Sequence, residues 1–324
     1  MDLNRFKIYI ASAFALFLLA SGSVVAQQEA QFAHNRFYNT AYNPAFVGSV
    51  NGICATGLYR QQWVGFKDQN NGDKIAPETY GVSINSPIGI LHGGIGGTIY
   101  NDKLGYWNEI GLTINYAYRV DVGMGNLGIG VQVGFINGKI DFSKLIEGAL
   151  DPDDPVLAGK AQESDMLLNF GFGLHYFVPD KFYVGLSSTR LTESSSPGDI
   201  LAYKTKRHYY LSAGYFFTFQ NNPSWEIEPS ILVKSDAVKT QIDIAAMVKY
   251  NNKVWGGVSY STIRVVDPLS ILVGLAIKDV RIGYAYTIPS SNIGSSGSHE
   301  VMVGYCFKID MDRGRRSYKN TRFL

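Results

Sequence analysis

The feature that most constrains the fold is a strict alternation of large apolar residues with small or polar ones, which recurs from about Gly52 onward. In the segment 109–119, every second residue is large and apolar, and the residues between them are small or polar. A period of two is typical of a β-strand that separates two different environments. The same pattern appears in segments 127–135, 168–176, 242–250 and 280–288. The chain is therefore predicted to be all-β.

Counting such segments gives about fourteen strands between residues 52 and 309, which is an even number. The connections between them alternate in length, with a short set that includes 120–125 and a mostly longer set that includes 137–164. This alternation is typical of outer-membrane barrels, which have short periplasmic turns and longer extracellular loops. A soluble β-sandwich also has many strands, but its outer faces carry polar residues. We therefore predict a closed antiparallel transmembrane β-barrel of about 14 strands, closed because an open edge in hydrocarbon leaves backbone groups unpaired.

The first 26 residues have the organisation of a secretory signal peptide. Arg5 and Lys7 precede an apolar run at 8–20, and the small residues that follow predict cleavage between Ala26 and Gln27. The apolar run is too short to span a bilayer, and no later segment reaches the length of a transmembrane helix. A barrel with a secretory leader is expected in the bacterial outer membrane, in contact with its lipid. The formal net charge of +2 argues against a nucleic-acid-binding protein, which normally has a strongly basic face.

The sequence divides into four parts. Residues 1–26 form the signal peptide, 27–51 a periplasmic N-terminal arm, 52–309 the barrel and 310–324 a basic periplasmic C-terminal tail. The arm contains aromatic, Asn and Pro residues but no sustained period. A solvated tail is the default interpretation, and the alternative is a docking arm for an acidic partner or for the cell wall.

No motif predicts a catalytic residue, a cofactor or a metal, so we do not expect an enzyme. The run GMGNLG at 123–128 has the G-x-G-x-x-G spacing, but a strand follows it where a dinucleotide site needs a helix. The five histidines are scattered without metal-ligand spacing. The acidic run Asp151–Pro155 lacks the spacing of an EF-hand loop, which favours a solvated loop over a calcium site.

Glycine pairs recur on the face predicted to line the lumen. A small residue at such a position makes room for a bulky side chain or for an inserted loop. The pairs are Gly94 with Gly96, Gly128 with Gly130, and Gly171 with Gly173.

Cys54 and Cys306 are the only cysteines of the chain. Cys54 lies early in the first strand and Cys306 late in the last, and these two strands are antiparallel neighbours in a closed barrel. Both side chains are expected to face the lumen near the periplasmic rim, in a compartment where disulfides persist. We predict a disulfide across the closing seam, and the alternative is two free, buried thiols.

Four short motifs carry a resemblance to a known family. They are NPAFVGS at 43–49, LYRQQWVGF at 58–66, NDKLG at 101–105 and YAYR at 116–119. They resemble the landmarks of the PorP/SprF family of the Bacteroidetes type IX secretion system, and the likeness is strong over residues 31–136. Departures from the family pattern are the long acidic loop 137–164 and the cysteine pair. The residues that match the family motifs most directly are Asn43, Pro44, Gly48, Tyr59, Arg60, Trp63, Gly65, Asn101 and Asp102.

The resemblance implies an outer-membrane component of type IX protein secretion and, in gliding bacteria, of gliding motility. Its implied partners are secreted cargo or a surface adhesin outside the cell, and secretion or motor ring components in the periplasm. The alternative is an outer-membrane diffusion channel or a hydrophobic-solute transporter, because fourteen strands enclose a lumen of useful width.

Overall fold

The computed structural model describes residues 31–50, 52–68, 72–142, 162–195, 204–219, 221–262, 267–290 and 296–308. The predicted signal peptide with its cleavage site at Ala26 and Gln27, the acidic run Asp151–Pro155 and the tail 310–324 lie outside these residues. The described strands are β1 (Gly52–Gln61), β2 (Glu78–Ile88), β3 (Gly93–Leu104), β4 (Trp107–Val122), β5 (Gly125–Asp141), β6 (Gln162–Val178), β7 (Phe182–Thr189), β8 (His208–Tyr215), β9 (Phe217–Phe219), β10 (Asn222–Ser235), β11 (Thr240–Tyr250), β12 (Val254–Ser261), β13 (Leu269–Ile277), β14 (Val280–Thr287) and β15 (Ser298–Lys308).

The helical elements that lie wholly within the described residues are single turns. Three are 3-10 helices, at Asn35–Phe37, Pro44–Phe46 and Gly89–Leu91, and one is an α-helix at Asn39–Tyr42. None of the helices in these residues is long and apolar enough to cross a membrane.

All paired strands are antiparallel, and the sheet closes on itself. β1 pairs with β15 from Gly52 to Gln61, and β10 pairs with β11, so the sheet order returns to its starting strand. β8 and β9 both pair with β10 and form one barrel strand that is interrupted at Phe216. The predicted closed, all-β barrel of 14 strands is confirmed.

The two faces of the strands meet different surroundings. On β4, the outward side chains of Ile110, Leu112 and Ile114 are between 41% and 52% exposed, whereas Asn115 and Ala117 on the inner face are 0% exposed. The same division holds around the barrel, where the exposed large side chains are predominantly apolar and many inner ones are polar. An apolar outer belt over a closed sheet is the surface that lipid requires.

The connections between the strands differ in length at the two ends of the barrel. At the first, which we call the turn end, two or three residues join β4 to β5, β6 to β7 and β13 to β14. At the other, which we call the loop end, the connections 62–77, 142–161, 190–207 and 288–297 are longer, although those after β3 and β10 are short. Short turns of outer-membrane barrels are periplasmic, so the turn end corresponds to the periplasmic side.

The interpretation of residues 27–51 as an arm in the periplasm is wrong for residues 31–49. These residues lie inside the barrel, where Gln31 contacts Gln241 near the loop end and Gly48 contacts Asn85 near the turn end. The segment has no sequence period because it forms no sheet. Its backbone groups pair partly within its own helical turns and partly with polar side chains of the strands. Small residues on the inner faces leave the room that it needs.

Candidate functional site

The barrel lumen is occupied by residues 31–49, which we call the lumen segment. It descends from the loop end to the turn end and packs its aromatic side chains against the inner faces of the strands. Tyr42, for example, lies 5.6 Å from the Tyr210 ring. Nine of its side chains are at most 5% exposed, which is the burial of a protein core: Phe32, Ala33, His34, Tyr38, Thr40, Tyr42, Asn43, Ala45 and Val47.

Glycines on the strands allow the segment to lie against the barrel wall. A Cβ added at Gly94 would lie 2.3 Å from the Cα of Gly48, and one at Gly130 would lie 2.2 Å from the backbone nitrogen of Ala45. Both distances are shorter than non-bonded atoms tolerate, and the obstructing atoms are backbone. The prediction that the lumen glycines make room for an inserted segment is confirmed at these positions. Gly48 itself has a φ of +77°, a conformation that favours glycine.

The first family motif forms the turn-end part of the segment. The Asn43 Oδ1 accepts a hydrogen bond from the backbone N–H of Ala45 at 2.9 Å, and its Nδ2 donates to the Leu174 carbonyl at 2.9 Å. Pro44 is the first residue of the helical turn that follows, where its missing N–H costs no hydrogen bond. The backbone N–H of Gly48 donates to Oδ1 of Asn85 at 2.7 Å. Asn43, Pro44 and Gly48 therefore fix one backbone path along the wall.

Polar side chains on the strands pair with backbone carbonyls of the segment. Asn115 Nδ2 donates to the Thr40 carbonyl at 3.0 Å, and Ser187 Oγ donates to the Tyr42 carbonyl at 2.6 Å. Arg119 Nη1 donates to the carbonyl of Ala45 at 3.2 Å and to that of Val47 at 3.3 Å. A buried backbone without regular structure needs such partners. These inner-face residues therefore supply hydrogen bonds that the carbonyls of the segment would otherwise lack.

Glu300 on β15 holds the loop-end half of the segment. Its two carboxylate oxygens accept the backbone N–H groups of Ala33 and His34, both at 2.7 Å. The His34 Nδ1 lies 2.7 Å from the same carboxylate, and the Nη1 of Arg60 lies 3.3 Å from it. Glu300 is only 2% exposed. A carboxylate buried to this degree requires partners of this kind to remain charged.

A second charged network lies nearer the turn end. The Arg36 guanidinium of the segment contacts Glu228 on β10, and the Lys249 ammonium lies 2.6 Å from the other oxygen of that carboxylate. Lys249 is also 2.9 Å from Glu226. The segment is thus fixed by one ion-pair network in each half of the lumen.

The second family motif lies at the loop end and joins three connections. The backbone N–H of Trp63 donates to Ser298 Oγ at 3.1 Å, and its indole Nε1 donates to Asp267 Oδ2 at 3.1 Å. The backbone N–H of Asp267 donates to Ser290 Oγ at 3.0 Å. Gly65 follows with a φ of +92°. We call this group the loop-end tie: Trp63, Asp267, Ser290 and Ser298.

The remaining motif residues lie on strands close to the loop end and play different parts. Arg60 is an inner-face residue, at 1% exposure, in the Glu300 network. Tyr59 is on the outer face, where its hydroxyl donates to Glu78 at 2.6 Å. Asp102 accepts a hydrogen bond from Thr79 at 2.6 Å. Asn101 is the neighbour of Asp102 on β3, directly opposite Tyr80.

Cys54 and Cys306 are opposite one another where β1 meets β15. Their Cα atoms are 4.0 Å apart and their sulfurs 2.19 Å apart. Both line the turn-end part of the lumen interior, and Arg281 Nη2 lies 3.0 Å from the Cys306 sulfur. The arrangement is that of a disulfide across the seam, and the bond in the cell stays a prediction.

Two cavities border different residues of the lumen segment. The one at the turn end has a volume of about 230 Å³ and borders Arg36, Phe37 and Thr40. The other has a volume of about 50 Å³ and borders Tyr38 and Tyr42. In the described part of the chain, no group of three or more His, Cys, Asp or Glu side chains is arranged to hold a metal ion. The glycine run at 123–128 forms the β4–β5 turn and the start of β5.

Sequence reasoning missed the residues that hold the segment, above all Glu300. One signal was available. A seam in which Cys54 pairs with Cys306 also pairs Arg60 with Glu300, and this register is the one observed. Two opposite charges facing each other on the inner face of neighbouring strands indicate a buried ion pair. By contrast, nothing in the strand pattern indicates that the pair is completed by His34.

Comparison with known proteins gives a family and a fold. The model of the family described as type IX secretion system membrane protein PorP/SprF matches residues 24–305. Among solved structures, the Ralstonia pickettii toluene transporter TbuX is similar at 13% identity and a TM-score of 0.50, over 84% of this chain and 93% of TbuX. The P. putida toluene transporter TodX is similar at 11% identity and a TM-score of 0.50, over 83% of this chain and 93% of TodX. The comparison with curated proteins gives no match.

Proposed function

We propose a function from the premise that this chain belongs to the PorP/SprF family of type IX secretion system membrane proteins, whose model matches residues 24–305. Family membership and the closed 14-strand barrel make it an outer-membrane component of type IX secretion, in contact with membrane lipid. Family and fold are those of a secretion protein and not of an enzyme.

We infer that the protein works as a plugged anchor that binds other proteins at its two ends. At the loop end it binds secreted cargo or a surface adhesin, which in a gliding host would link it to motility. At the turn end it contacts periplasmic secretion or motor ring components. The observation that carries the proposal is the lumen segment, because a binding function tolerates a filled lumen and a diffusion channel does not.

The loop end offers a surface suited to a protein partner. Trp63 is fixed by the loop-end tie, and the backbone N–H of Phe66 donates to the Trp63 carbonyl at 2.9 Å. The Phe66 side chain is 36% exposed. A binding surface that is already ordered loses less conformational entropy when the partner binds. This supports recognition at the loop end without the cost of ordering a long loop.

The competing function is a channel or transporter for hydrophobic solutes. The observation that favours it is the barrel likeness to TbuX and TodX, which are described as toluene transporters. At 13% and 11% identity this likeness concerns the fold alone. The buried network of Glu300 and the close backbone contacts at Gly94 and Gly130 argue for a segment that stays in place.

A deletion experiment separates the two functions. The gene is deleted and restored either as wild type or as a Gly57→Ala variant, whose added methyl group would come no closer than 3.9 Å to another atom. We expect the deletion to leave secreted or surface-attached proteins inside the cell, with uptake of a radiolabelled monoaromatic solute unchanged and both restored strains normal. Normal secretion together with lost solute uptake would contradict the proposal and support the transporter.

A further inference from the structure

The turn-end cavity lies between the lumen segment and the inner faces of the strands. Its volume of about 230 Å³ is below the range of about 300–1,000 Å³ of pockets for drug-sized ligands. It therefore suits a small molecule, or the last residue of a peptide. Cys54 and Phe177, near the turn-end limits of β1 and β6, are among its lining residues, so the cavity lies beside the periplasmic mouth.

Three buried polar atoms around this cavity have no hydrogen-bond partner in the described chain. They are Ser49 Oγ, Asn85 Nδ2 and His175 Nδ1. A hydroxyl and an amide NH₂ are donors, and an imidazole Nδ1 donates in one of its two neutral tautomers. Because an unpaired buried donor costs about 1–3 kcal/mol, three of them around one cavity indicate a ligand that accepts hydrogen bonds.

Arg281 on β14 adds a positive charge to the same cavity. In the part of the chain that the structure describes, Arg281 forms no ion pair with a carboxylate. Its Nη2 lies 3.0 Å from the Cys306 sulfur, which is a weak acceptor. Arg36 and Lys249 also line the cavity, but both are paired with Glu228. Arg281 is therefore the cation with capacity for an anionic ligand.

Aromatic rings supply an apolar part of the wall. Phe37, Phe46 and Phe177 all line the cavity. The Phe37 ring centroid lies 5.9 Å from the Arg281 guanidinium carbon, so charge and apolar surface are adjacent. The site thus combines hydrogen-bond donors, a cation and an aromatic surface.

We propose that the turn-end cavity is a binding site for a carboxylate attached to a small apolar or aromatic group. Arg281 binds the carboxylate, the unpaired polar groups donate to its oxygens or to a neighbouring carbonyl, and the phenyl rings contact the apolar group. Two sources have this chemistry, a free organic acid and the C-terminal residue of a peptide. The site goes beyond the proposed secretion function and does not depend on it.

The test uses the full-length mature protein in lipid nanodiscs and isothermal titration calorimetry. Four probes are titrated, namely 3-phenylpropionate, its neutral amide, the peptide acetyl-Gly-Gly-Phe with a free carboxylate, and the same peptide with an amidated C-terminus. Heats from nanodiscs without protein are subtracted. We expect saturable binding of at least one acid, and binding of its amide weaker by about tenfold or more, as for other hydrogen bonds to charged groups.

Two variants and one control locate the binding. Arg281→Met keeps the length of the side chain and removes the charge, and we expect binding to weaken by about tenfold or more. Ser49→Ala removes one unpaired hydroxyl without a change of charge, and we expect a loss of about two- to fivefold. Lys253→Met removes a positive charge from the exposed turn after β11, outside the cavity, and should leave binding unchanged. Folding of each variant is checked by gel electrophoresis. A folded barrel migrates differently in unheated and heated samples, as wild type does.

The outcomes are distinct. A free acid that binds more tightly than the peptide identifies a small-molecule ligand, and the reverse order identifies a peptide terminus. Equal binding of acid and amide, equal binding by wild type and folded Arg281→Met, or no saturable binding of either acid would each overturn the proposal. If Arg281→Met does not fold, a Ser49→Ala variant with unchanged affinity overturns it as well.

Discussion

Replacing Glu300 by alanine should release the lumen segment from a barrel that remains folded. The carboxylate accepts two backbone N–H groups of the segment at 2.7 Å, contacts His34 and lies 3.3 Å from Arg60. The substitution leaves the Arg60 guanidinium buried without an anion and two backbone donors unpaired. Breaking one side of a buried ion pair costs about 3–5 kcal/mol. If this cost falls on the seated state, the ratio of seated to released segment decreases by about 10²- to 10⁴-fold.

Two measurements follow the released segment. Arg36 lies within the segment, so trypsin added to the protein in nanodiscs would cleave after Arg36 only when the segment leaves the lumen. Mass spectrometry of the intact chain detects this cut. In planar bilayers, release would also open the lumen, and we expect conductance steps in Glu300→Ala that wild type lacks. Glu226→Ala is the matched control, because it removes an inner-face carboxylate that pairs with Lys249 and keeps the Arg36–Glu228 contact through which the second network holds the segment.

One result would show that Glu300 does not hold the lumen segment. Suppose that the Glu300→Ala protein shows the electrophoretic shift of a folded barrel on heating, as wild type does. If trypsin then cuts after Arg36 no faster and no conductance appears, the Glu300 network does not hold the segment. If Glu226→Ala opens the lumen equally, the effect is a general one of lost inner-face charge.

Three further predictions concern packing, the seam and the loops. Gly130→Ala places a methyl group against the segment backbone and should expose the segment to trypsin, whereas Gly57→Ala, with an open outer face, should not. Joining Cys54 to Cys306 closes a loop across 252 positions of sequence, which contributes up to about 5 kcal/mol to the free energy of unfolding through chain entropy. A reductant should therefore lower the thermal midpoint of unfolding. Mass spectrometry of a non-reduced tryptic digest should find the two cysteine peptides linked. Trp63→Phe removes one hydrogen bond to a carboxylate, and amide hydrogen exchange at residues 62–68 should accelerate about tenfold, corresponding to about 1.5 kcal/mol.

Each of these has an outcome that would contradict it. An unchanged trypsin pattern in a folded Gly130→Ala barrel would mean that the segment moves aside without leaving. Both thiols alkylated without reductant would exclude the disulfide. For the loop prediction, Trp225→Phe is the control, since Trp225 is on the outer face and stacks on Tyr250. Equal acceleration of residues 62–68 in both tryptophan variants would mean that the Asp267 bond does not order the loop.

The barrel wall was predictable from the sequence because its rule is local. Each strand needs apolar side chains outside and small or polar ones inside, so a window such as 109–119 shows the pattern without reference to its neighbours. The seam followed from closure, which makes the first and last strands adjacent, and from an even strand number, which makes them antiparallel. Together these placed Cys54 beside Cys306. The interruption of one strand at Phe216 was not visible, because Tyr215 and Phe217 continue the outward alternation on either side of it.

The lumen segment was not predictable by the same means. His34 and Glu300 are 266 positions apart in sequence and meet only after the barrel has closed. The alternation along a strand also places a polar residue such as Asn115 on the inner face whether its side chain contacts water or a buried carbonyl. The motif residues matched by resemblance did indicate important positions, but not that Asn43 and Gly48 lie in the lumen while Trp63 joins the loops.

The path of the lumen segment determines on which side of the membrane the first described residues lie. A barrel with an even number of strands leaves both of its ends on the same side, as β1 and β15 do at the turn end. The segment adds one more passage through the membrane, shielded from lipid by the wall, and carries Gln31 to the neighbourhood of Gln241 at the loop end. The first and last described residues, Gln31 and Lys308, therefore lie at opposite ends of the barrel. They are separated by the full thickness of the outer membrane, although the strand count alone puts them on the same side.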